Sequence, residues 1–111
     1  MWALDRLRPI DKRFLMRLSQ DERTTIREAS LRHFGQFPLL FGSRLDDNAK
    51  GGDIDLLIPG VWTVREAVQR RLRFCADLMA RLGERKIDVV IDTGDQNNPV
   101  IQHAYQTGVP L

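Results

Sequence analysis

The chain has 111 residues, of which 42% are apolar, so its size and composition are those of one globular domain, residues 1–111, rather than of a disordered chain. No apolar run approaches the ~20 residues that a membrane-spanning helix needs, the first residues lack the apolar stretch of a signal peptide, and the single cysteine, Cys75, excludes an intrachain disulfide. We therefore expect a cytoplasmic protein without a membrane partner.

The net charge of +2 conceals a separation of charge along the chain. Residues 1–35 carry eight Lys/Arg and five Asp/Glu, and residues 62–86 carry seven and three. Elsewhere, Arg44 and Lys50 are the only Lys/Arg, against seven aspartates. The cations lie in stretches with helical patterns, and the aspartates lie in predicted strands and loops. This distribution favours a bound cation over nucleic acid as a direct ligand.

The first clear helix is predicted to begin after Ser19, which has the spacing of a capping box with Glu22, and to end at Gly35. Its sparse apolar stripe consists of Ile26, Ala29 and Phe34. Residues 1–18 form an N-terminal extension, whose pattern is compatible with a short helix at 11–18.

Three short apolar runs have the composition of β-strands. The first covers residues 37–41, with Pro38 near its start, and the second covers 53–58. The third covers 86–92. The polar residues 44–52 form the loop between the first two strands.

Between the second and third strands, apolar residues recur every three or four positions and predict an amphipathic helix that ends at Gly83. The apolar stripe consists of Val64, Val68, Leu72, Cys75, Leu78, Met79 and Leu82. The basic outer face consists of Arg65, Arg70, Arg71, Arg73, Arg81, Arg85 and Lys86. We interpret this face as a solvated surface, with nucleic-acid or acidic-partner binding as the alternative.

A last helix is predicted from the N-cap Asn98 and Pro99 to about Thr107. The order helix, strand, strand, helix, strand, helix predicts an α/β (α+β) domain, a small mixed β-sheet backed by helices on one face. The crossover helix makes the second and third strands parallel neighbours, and the loop makes the first two antiparallel.

Three aspartates on neighbouring strands are the candidate metal ligands. Because side chains alternate along a strand, Asp53 and Asp55 project from one face while Ile54 enters the core. Asp88 on the third strand then lies beside this pair. Mg²⁺ prefers carboxylate oxygen, and three carboxylates on adjacent strands can hold two ions about 4 Å apart.

The residues that end the first strand form a candidate phosphate site. Gly42 has no side chain, so a phosphate can approach the backbone closely. Ser43 offers a hydroxyl and an N–H at the start of a turn. Arg44 is either a phosphate contact or a surface residue.

Gly42-Ser43, followed after nine residues by Asp53-x-Asp55 and later by a single strand aspartate, resembles the nucleotidyltransferase superfamily of the DNA polymerase β type. Over about residues 20–108 the chain is similar to the minimal nucleotidyltransferase (MNT) domains of the kanamycin-nucleotidyltransferase-like group. The resemblance implies the nucleotidyltransferase fold for nearly the whole chain.

The resemblance also implies residue roles. Gly42 and Ser43 hold the nucleotide phosphates, and Asp53 and Asp55 ligate Mg²⁺. Asp88 completes the metal site and helps to deprotonate the attacking hydroxyl. The cofactor is Mg²⁺, as two ions, and the substrate is ATP or another nucleoside triphosphate, which loses pyrophosphate.

Larger relatives carry an added helical domain for the acceptor, and 111 residues leave no room for one, so we expect the acceptor on a partner or on a second copy. MNT proteins are typically paired with helical HEPN proteins, which are RNase toxins. The resemblance therefore implies an antitoxin that transfers AMP from ATP to its partner. The alternative is a catalytically inactive nucleotide-binding protein that neutralises its partner by contact.

The remaining polar residues of interest have structural interpretations. His33 and His103 lack the spacing of a metal pair, so we expect them to be structural or exposed. Cys75 falls on the apolar stripe and is interpreted as a core residue. Asp92, at the end of the third strand, is interpreted as a turn former.

Overall fold

The computed structural model describes residues 18–42 and 54–111, and this part of the chain forms three helices and one four-stranded sheet. The helices are α1 (Gln20–Phe34), α2 (Val64–Leu82) and α3 (Pro99–Thr107). The strands are β1 (Leu39–Phe41), β2 (Ile54–Ile58), β3 (Ile87–Ile91) and β4 (Val109–Pro110). The short helix expected at 11–18 falls, apart from Leu18, outside the described residues.

The strands lie in the order β3-β2-β1-β4. Strand β2 pairs in parallel with β3, and β1 pairs antiparallel with both β2 and β4. The parallel and antiparallel pairings predicted for the first three strands are therefore confirmed. Strand β4 was not predicted, because its two residues are too few to show an alternating pattern; Val109 is the partner of Leu40.

Side-chain caps fix the helix starts. At α1 the Ser19 hydroxyl accepts from the backbone N–H of Glu22 at 3.0 Å, and the Glu22 carboxylate accepts from the N–H of Ser19 at 2.9 Å. Asn98 caps α3 in the predicted way. A second capping box, centred on Thr63, begins α2. Gly35 ends α1 with a φ of 73°, a left-handed conformation that suits glycine.

Helices α1 and α2 cover one face of the sheet and enclose the larger core. The T-shaped ring pair of Phe34 and Phe74, with centroids 5.3 Å apart, joins the two helices. The sheet contributes Leu40, Ile54, Leu56, Ile58, Val89 and Ile91.

Helix α3 covers the opposite face, so the expectation of helices on one face only is wrong. Its Ala104 is fully buried against Phe41 and Leu57, with Leu39 and Val90 packed around them. The physical reason is that this face of the sheet is also apolar beyond Asp55, and burial of Leu57 requires a cover.

The buried face of α2 differs from the predicted stripe. Ala67, Phe74 and Leu78 are its buried residues. Four members of the predicted stripe, Val64, Val68, Leu72 and Met79, are instead 54–67% exposed. Helix α2 carries two adjacent apolar stripes, and the one that includes Phe74 faces the sheet, where an aromatic side chain buries the largest area. Cys75, expected in the core, lies at its margin and is partly buried.

Most of the basic outer face predicted for this helix is exposed, as expected, and several of its residues also make intramolecular contacts. Arg70 donates to the carbonyl oxygen of His33 at 2.8 Å, and Arg71 donates to that of Val89 at 3.0 Å. Arg81 and Arg85 form ion pairs with acidic residues. The contacts of Arg70 and Arg71 join α2 to the end of α1 and to strand β3.

Candidate active site

Asp55 and Asp88 are Cα partners in the parallel pair of β2 and β3. Partnered residues of neighbouring strands project from the same face, and the strands lie about 4.8 Å apart. Asp55 is partly buried and Asp88 is exposed. The structure therefore brings together two of the three predicted carboxylates, and it confirms that Asp88 lies beside the second strand's acidic position.

A pocket of about 370 Å³ lies over this acidic pair. It is lined by Asp55, Asp88, Phe41, Val90, Pro99, Val100 and His103. Strands β1 to β3 contribute one side of the pocket, and the first half of α3 contributes the other. The acidic residues thus lie at one side of a largely apolar recess.

His103 lies in this pocket wall, a position that its sequence context did not suggest. Its Nε2 atom is buried and has no hydrogen-bond partner among the described residues. The imidazole ring packs edge-on against Phe41, with ring centroids 6.4 Å apart. The available signal was the helical spacing of Pro99, Val100 and His103, which places all three on one side of α3.

The other predicted site residues are placed only in part. Gly42 follows Phe41 directly at the end of β1 and is buried. Ser43, Arg44 and Asp53 lie outside the described residues. Their roles in phosphate and metal binding stay predictions from the sequence.

The donor set fits a hard cation. Within residues 18–42 and 54–111, no group of three His, Cys, Asp or Glu side chains could hold a metal ion. Asp55 and Asp88 are two carboxylates at adjacent positions, and Mg²⁺ commonly uses one or two protein carboxylates together with phosphate oxygens and water. The arrangement is therefore compatible with Mg²⁺ without a third described ligand.

Hydrogen bonds of Asp92 connect α3 to the end of strand β3. The Tyr105 hydroxyl donates to Asp92 at 2.7 Å, and the backbone N–H of Gly94 donates to the other carboxylate oxygen at 2.8 Å. Burial and the hydrogen bond to Asp92 raise the pKa of Tyr105. The interpretation of Asp92 as a turn former is confirmed by its bond to Gly94. Its bond to Tyr105 also helps to fix the position of α3, the helix that carries His103.

A second charged cluster lies between α1 and α2. Asp77 accepts hydrogen bonds from Arg81 at 2.7 Å, from Arg32 at 2.9 Å and, at the same distance, contacts His33 Nε2. These partners, Arg81 first, hold the pKa of Asp77 well below its usual range. His33 therefore has the structural role expected from the sequence.

Comparisons with known proteins add no relative: no protein-family model, curated protein or solved structure matches the chain. In the part of the chain that the structure describes, no helix has both the length and the apolar character to span a membrane.

Proposed function

We propose that the protein is an Mg²⁺-dependent nucleotidyltransferase with the nucleotidyltransferase fold, which transfers AMP from ATP to a hydroxyl group of a partner protein. The observation that carries the proposal is the side-by-side placement of Asp55 and Asp88 at the edge of a pocket. Two carboxylates on adjacent strands beside a recess suit metal-assisted phosphoryl chemistry.

The site residues have distinct roles in this proposal. Asp53, Asp55 and Asp88 hold the metal, with Asp53 assigned from the sequence. Two Mg²⁺ ions, when bound, neutralise the triphosphate and the departing pyrophosphate. Asp88, which is exposed, accepts the proton of the attacking hydroxyl.

Phosphate binding is assigned to the end of β1. Gly42 permits close approach of a phosphate to the backbone, and Ser43 and Arg44 supply donors to its oxygens. The acceptor oxygen attacks the α-phosphorus, the bond between that phosphorus and the oxygen that bridges it to the β-phosphate breaks, and the β- and γ-phosphates leave together as pyrophosphate. Positioning and electrostatic stabilisation account for the catalysis, since no covalent intermediate with the protein is needed.

The pocket supports a nucleotide as the substrate. Its volume of about 370 Å³ falls in the range of small-molecule sites. Phe41, Val90 and Val100 provide an apolar wall for a base. His103 also lines the pocket, and a turn of its ring towards a bound ligand would give the buried Nε2 atom a hydrogen-bond partner. ATP is the leading substrate by resemblance to the MNT family, with other nucleoside triphosphates as the alternative.

The partner proposed by the same resemblance is a HEPN-type helical protein, with a second copy of the chain as the alternative acceptor. Modification of a toxin of this kind would make the chain its antitoxin, acting in the cytoplasm. The non-enzymatic alternative is a protein that binds nucleotide and neutralises its partner by contact without turnover.

The test uses label position to identify the reaction. The purified chain is incubated with Mg²⁺, the candidate partner and ATP labelled at the α- or the γ-phosphate. Transfer of the α-label with release of pyrophosphate supports the proposal, whereas transfer of the γ-label indicates a kinase. ATP binding without transfer of either label to any acceptor supports the contact-only alternative.

Two variants connect the transfer to the acidic pair. Asp55→Asn and Asp88→Asn should each reduce α-label transfer by about 100-fold or more, because each removes a charge at the metal. Asp95→Asn is the matched control, since Asp95 is exposed, lies outside the pocket, and asparagine retains the turn in which its side chain accepts from Asn97. Transfer at the native rate in both pocket variants would refute the assignment.

A further inference from the structure

An apolar stripe on the outer side of α2 is left exposed among the described residues. Val64, Val68, Leu72 and Met79 have 67%, 54%, 65% and 67% of their surface exposed. We call these four residues the α2 stripe. Isolated apolar residues on a surface are common, but a contiguous set along one helix indicates a binding surface.

The α2 stripe borders a groove of about 350 Å³ between α2 and the edge strand β3. Val64, Val68 and Leu72 form the helix side of the groove, and Ile91 and Thr93 form the strand side. A groove with one apolar helical wall is a shape that can receive another helix.

The spacing of the apolar residues also matches helix packing. Val68, Leu72, Cys75, Met79 and Leu82 are separated by alternating steps of four and three residues. Such steps produce the seam along which one helix inserts its side chains between those of another. The seam follows the α2 stripe and continues at Cys75 and Leu82, which lie at the edge of the core.

Helix α2, which carries the stripe, has an excess of positive charge. Helix α2 carries five arginines and two acidic residues. Both acidic residues are engaged within the fold: Glu66 in the capping box with Thr63, and Asp77 in the cluster with Arg81. With five arginines against two acidic residues, α2 keeps a net charge of +3, and both Arg65 and Arg71 are exposed.

This charge discriminates between occupants of the groove. A second copy of α2 would bring the same excess of arginine, and like charges across an interface are unfavourable. Residues 1–17 have five Lys/Arg and two Asp, which is again a positive excess. A helix with acidic flanks complements both the apolar seam and the arginines.

We propose that the α2 stripe is the docking surface for an amphipathic helix of another protein, whose apolar seam is flanked by Asp or Glu. The docked helix would lie along β3. Asp88 belongs to the same strand but projects from the opposite face of the sheet. The proposal depends on the exposure and charge of α2, and it stands whether or not the chain transfers nucleotides.

A pair of fluorescein-labelled synthetic peptides tests the proposal on the full chain by fluorescence anisotropy. Both are amphipathic helices with the same leucine seam, one flanked by Glu and the other by Lys. The Glu peptide should bind at least about tenfold more tightly than the Lys peptide, and added salt should reduce the difference. No binding of the Glu peptide, or equal binding of both, overturns the proposal.

Substitutions locate the binding surface. Leu72→Ser should weaken binding of the Glu peptide about tenfold, because central apolar contacts carry most of the binding energy of an interface. Leu31→Ser is the matched control, since Leu31 is 44% exposed but lies on α1. Both side chains are largely exposed, so thermal melts should show that each variant remains folded. An equal effect of the two substitutions would show that the peptide does not bind at the α2 stripe.

Charge reversal and the rival occupants complete the test. Arg65→Glu should weaken binding of the Glu peptide and strengthen binding of the Lys peptide. A native dimer in sedimentation equilibrium that Leu72→Ser dissociates would identify a second copy as the occupant and overturn the proposal. Faster tryptic cleavage within residues 1–17 in the Leu72→Ser protein would identify that segment as the occupant, with the same consequence.

Discussion

Asp55 and Asp88 occupy partnered positions on adjacent parallel strands, and both line one pocket. Two carboxylates on adjacent strands repel each other in water, and they repel each other more strongly beside an apolar wall. A divalent cation relieves that repulsion, so the pair should couple metal binding to the stability of the sheet.

The first prediction concerns metal-dependent stability. Mg²⁺ at 100 times its Kd should raise the free energy of unfolding by about 2.7 kcal/mol, because the ion binds the folded state alone. Thermal melts with and without Mg²⁺ should show this increase for the native chain and for Asp95→Asn. In Asp88→Asn the increase should be lost. An unchanged response of Asp88→Asn would show that Asp88 is not a metal ligand.

The second prediction concerns His103, whose buried Nε2 has no partner in the described part of the chain. A turn of the His103 ring that brings Nε2 to an atom of the bound nucleotide would give this polar group a partner. His103→Leu should therefore lower the affinity for a non-hydrolysable ATP analogue about tenfold in calorimetry, the equivalent of one hydrogen bond. His103→Gln, which keeps a polar group in the pocket, should recover part of the loss.

The response to Mg²⁺ separates this role from metal ligation. His103→Leu should keep the metal-dependent increase in stability, since its effect is on the nucleotide. Loss of both nucleotide and metal binding would instead make His103 a ligand of the ion or a support for the acidic pair.

The third prediction concerns acid stability. The pKa of Asp77 is lowered in the folded state, so the folded state binds fewer protons at this site than the unfolded chain. Its stabilising contribution is present in full above the unfolded pKa of about 4 and is lost as the pH falls below that value. Asp77→Asn should lower the free energy of unfolding at pH 7 by about 1 kcal/mol, because its arginine partners are exposed to solvent and exposed ion pairs contribute little each.

Urea denaturation of both proteins at a series of pH values checks the sign. The difference between native protein and Asp77→Asn should be constant from pH 7 to 5 and should shrink below about pH 4. A difference that grows towards acid pH would contradict the role assigned to the cluster of Asp77 with Arg81, Arg32 and His33.

The fourth prediction concerns the start of α2. The Thr63 hydroxyl accepts from the backbone N–H of Glu66 at 3.1 Å, so Thr63→Ala should cost about 1 kcal/mol of stability in urea denaturation. Thr63→Ser keeps the hydroxyl and should cost only a small fraction of that amount. Equal losses for the two substitutions would indicate that the threonine methyl group, rather than the cap, provides the stabilisation.

The helix limits and the strand pairing could be predicted because they depend on short-range chemistry and on one topological rule. Ser19 with Glu22, and Asn98 with Pro99, carry their capping signals within four residues. The parallel pairing that brings Asp88 beside Asp55 follows from the crossover through α2. Helix propensity and capping act within each helix and do not depend on the tertiary packing.

The rotation of α2, the face covered by α3 and the position of His103 could not be predicted, because each depends on contacts between distant segments. Leu72 and Phe74 both have apolar neighbours at helical spacing, and only the packing against α1 and the sheet selects Phe74 for the core. His103 reaches the pocket because Ala104 buries α3 against β1 and β2. No local pattern specifies that contact.

Both edges of the sheet carry features that oppose further strand pairing. At β3, Arg71 donates to the outward-facing carbonyl oxygen of Val89. At β4, the backbone N–H of Leu111 donates to the carbonyl oxygen of Pro38 in the sheet. Backbone groups alternate in direction along a strand, so those of the preceding residue, Pro110, point away from the sheet. Proline has no N–H, and this outer edge therefore lacks a donor at that position. Backbone-to-backbone recruitment of a neighbouring chain is thereby discouraged at both sides. The protein should consequently resist edge-to-edge aggregation when concentrated. It should recognise other molecules through side-chain contacts rather than through backbone pairing at the sheet edges.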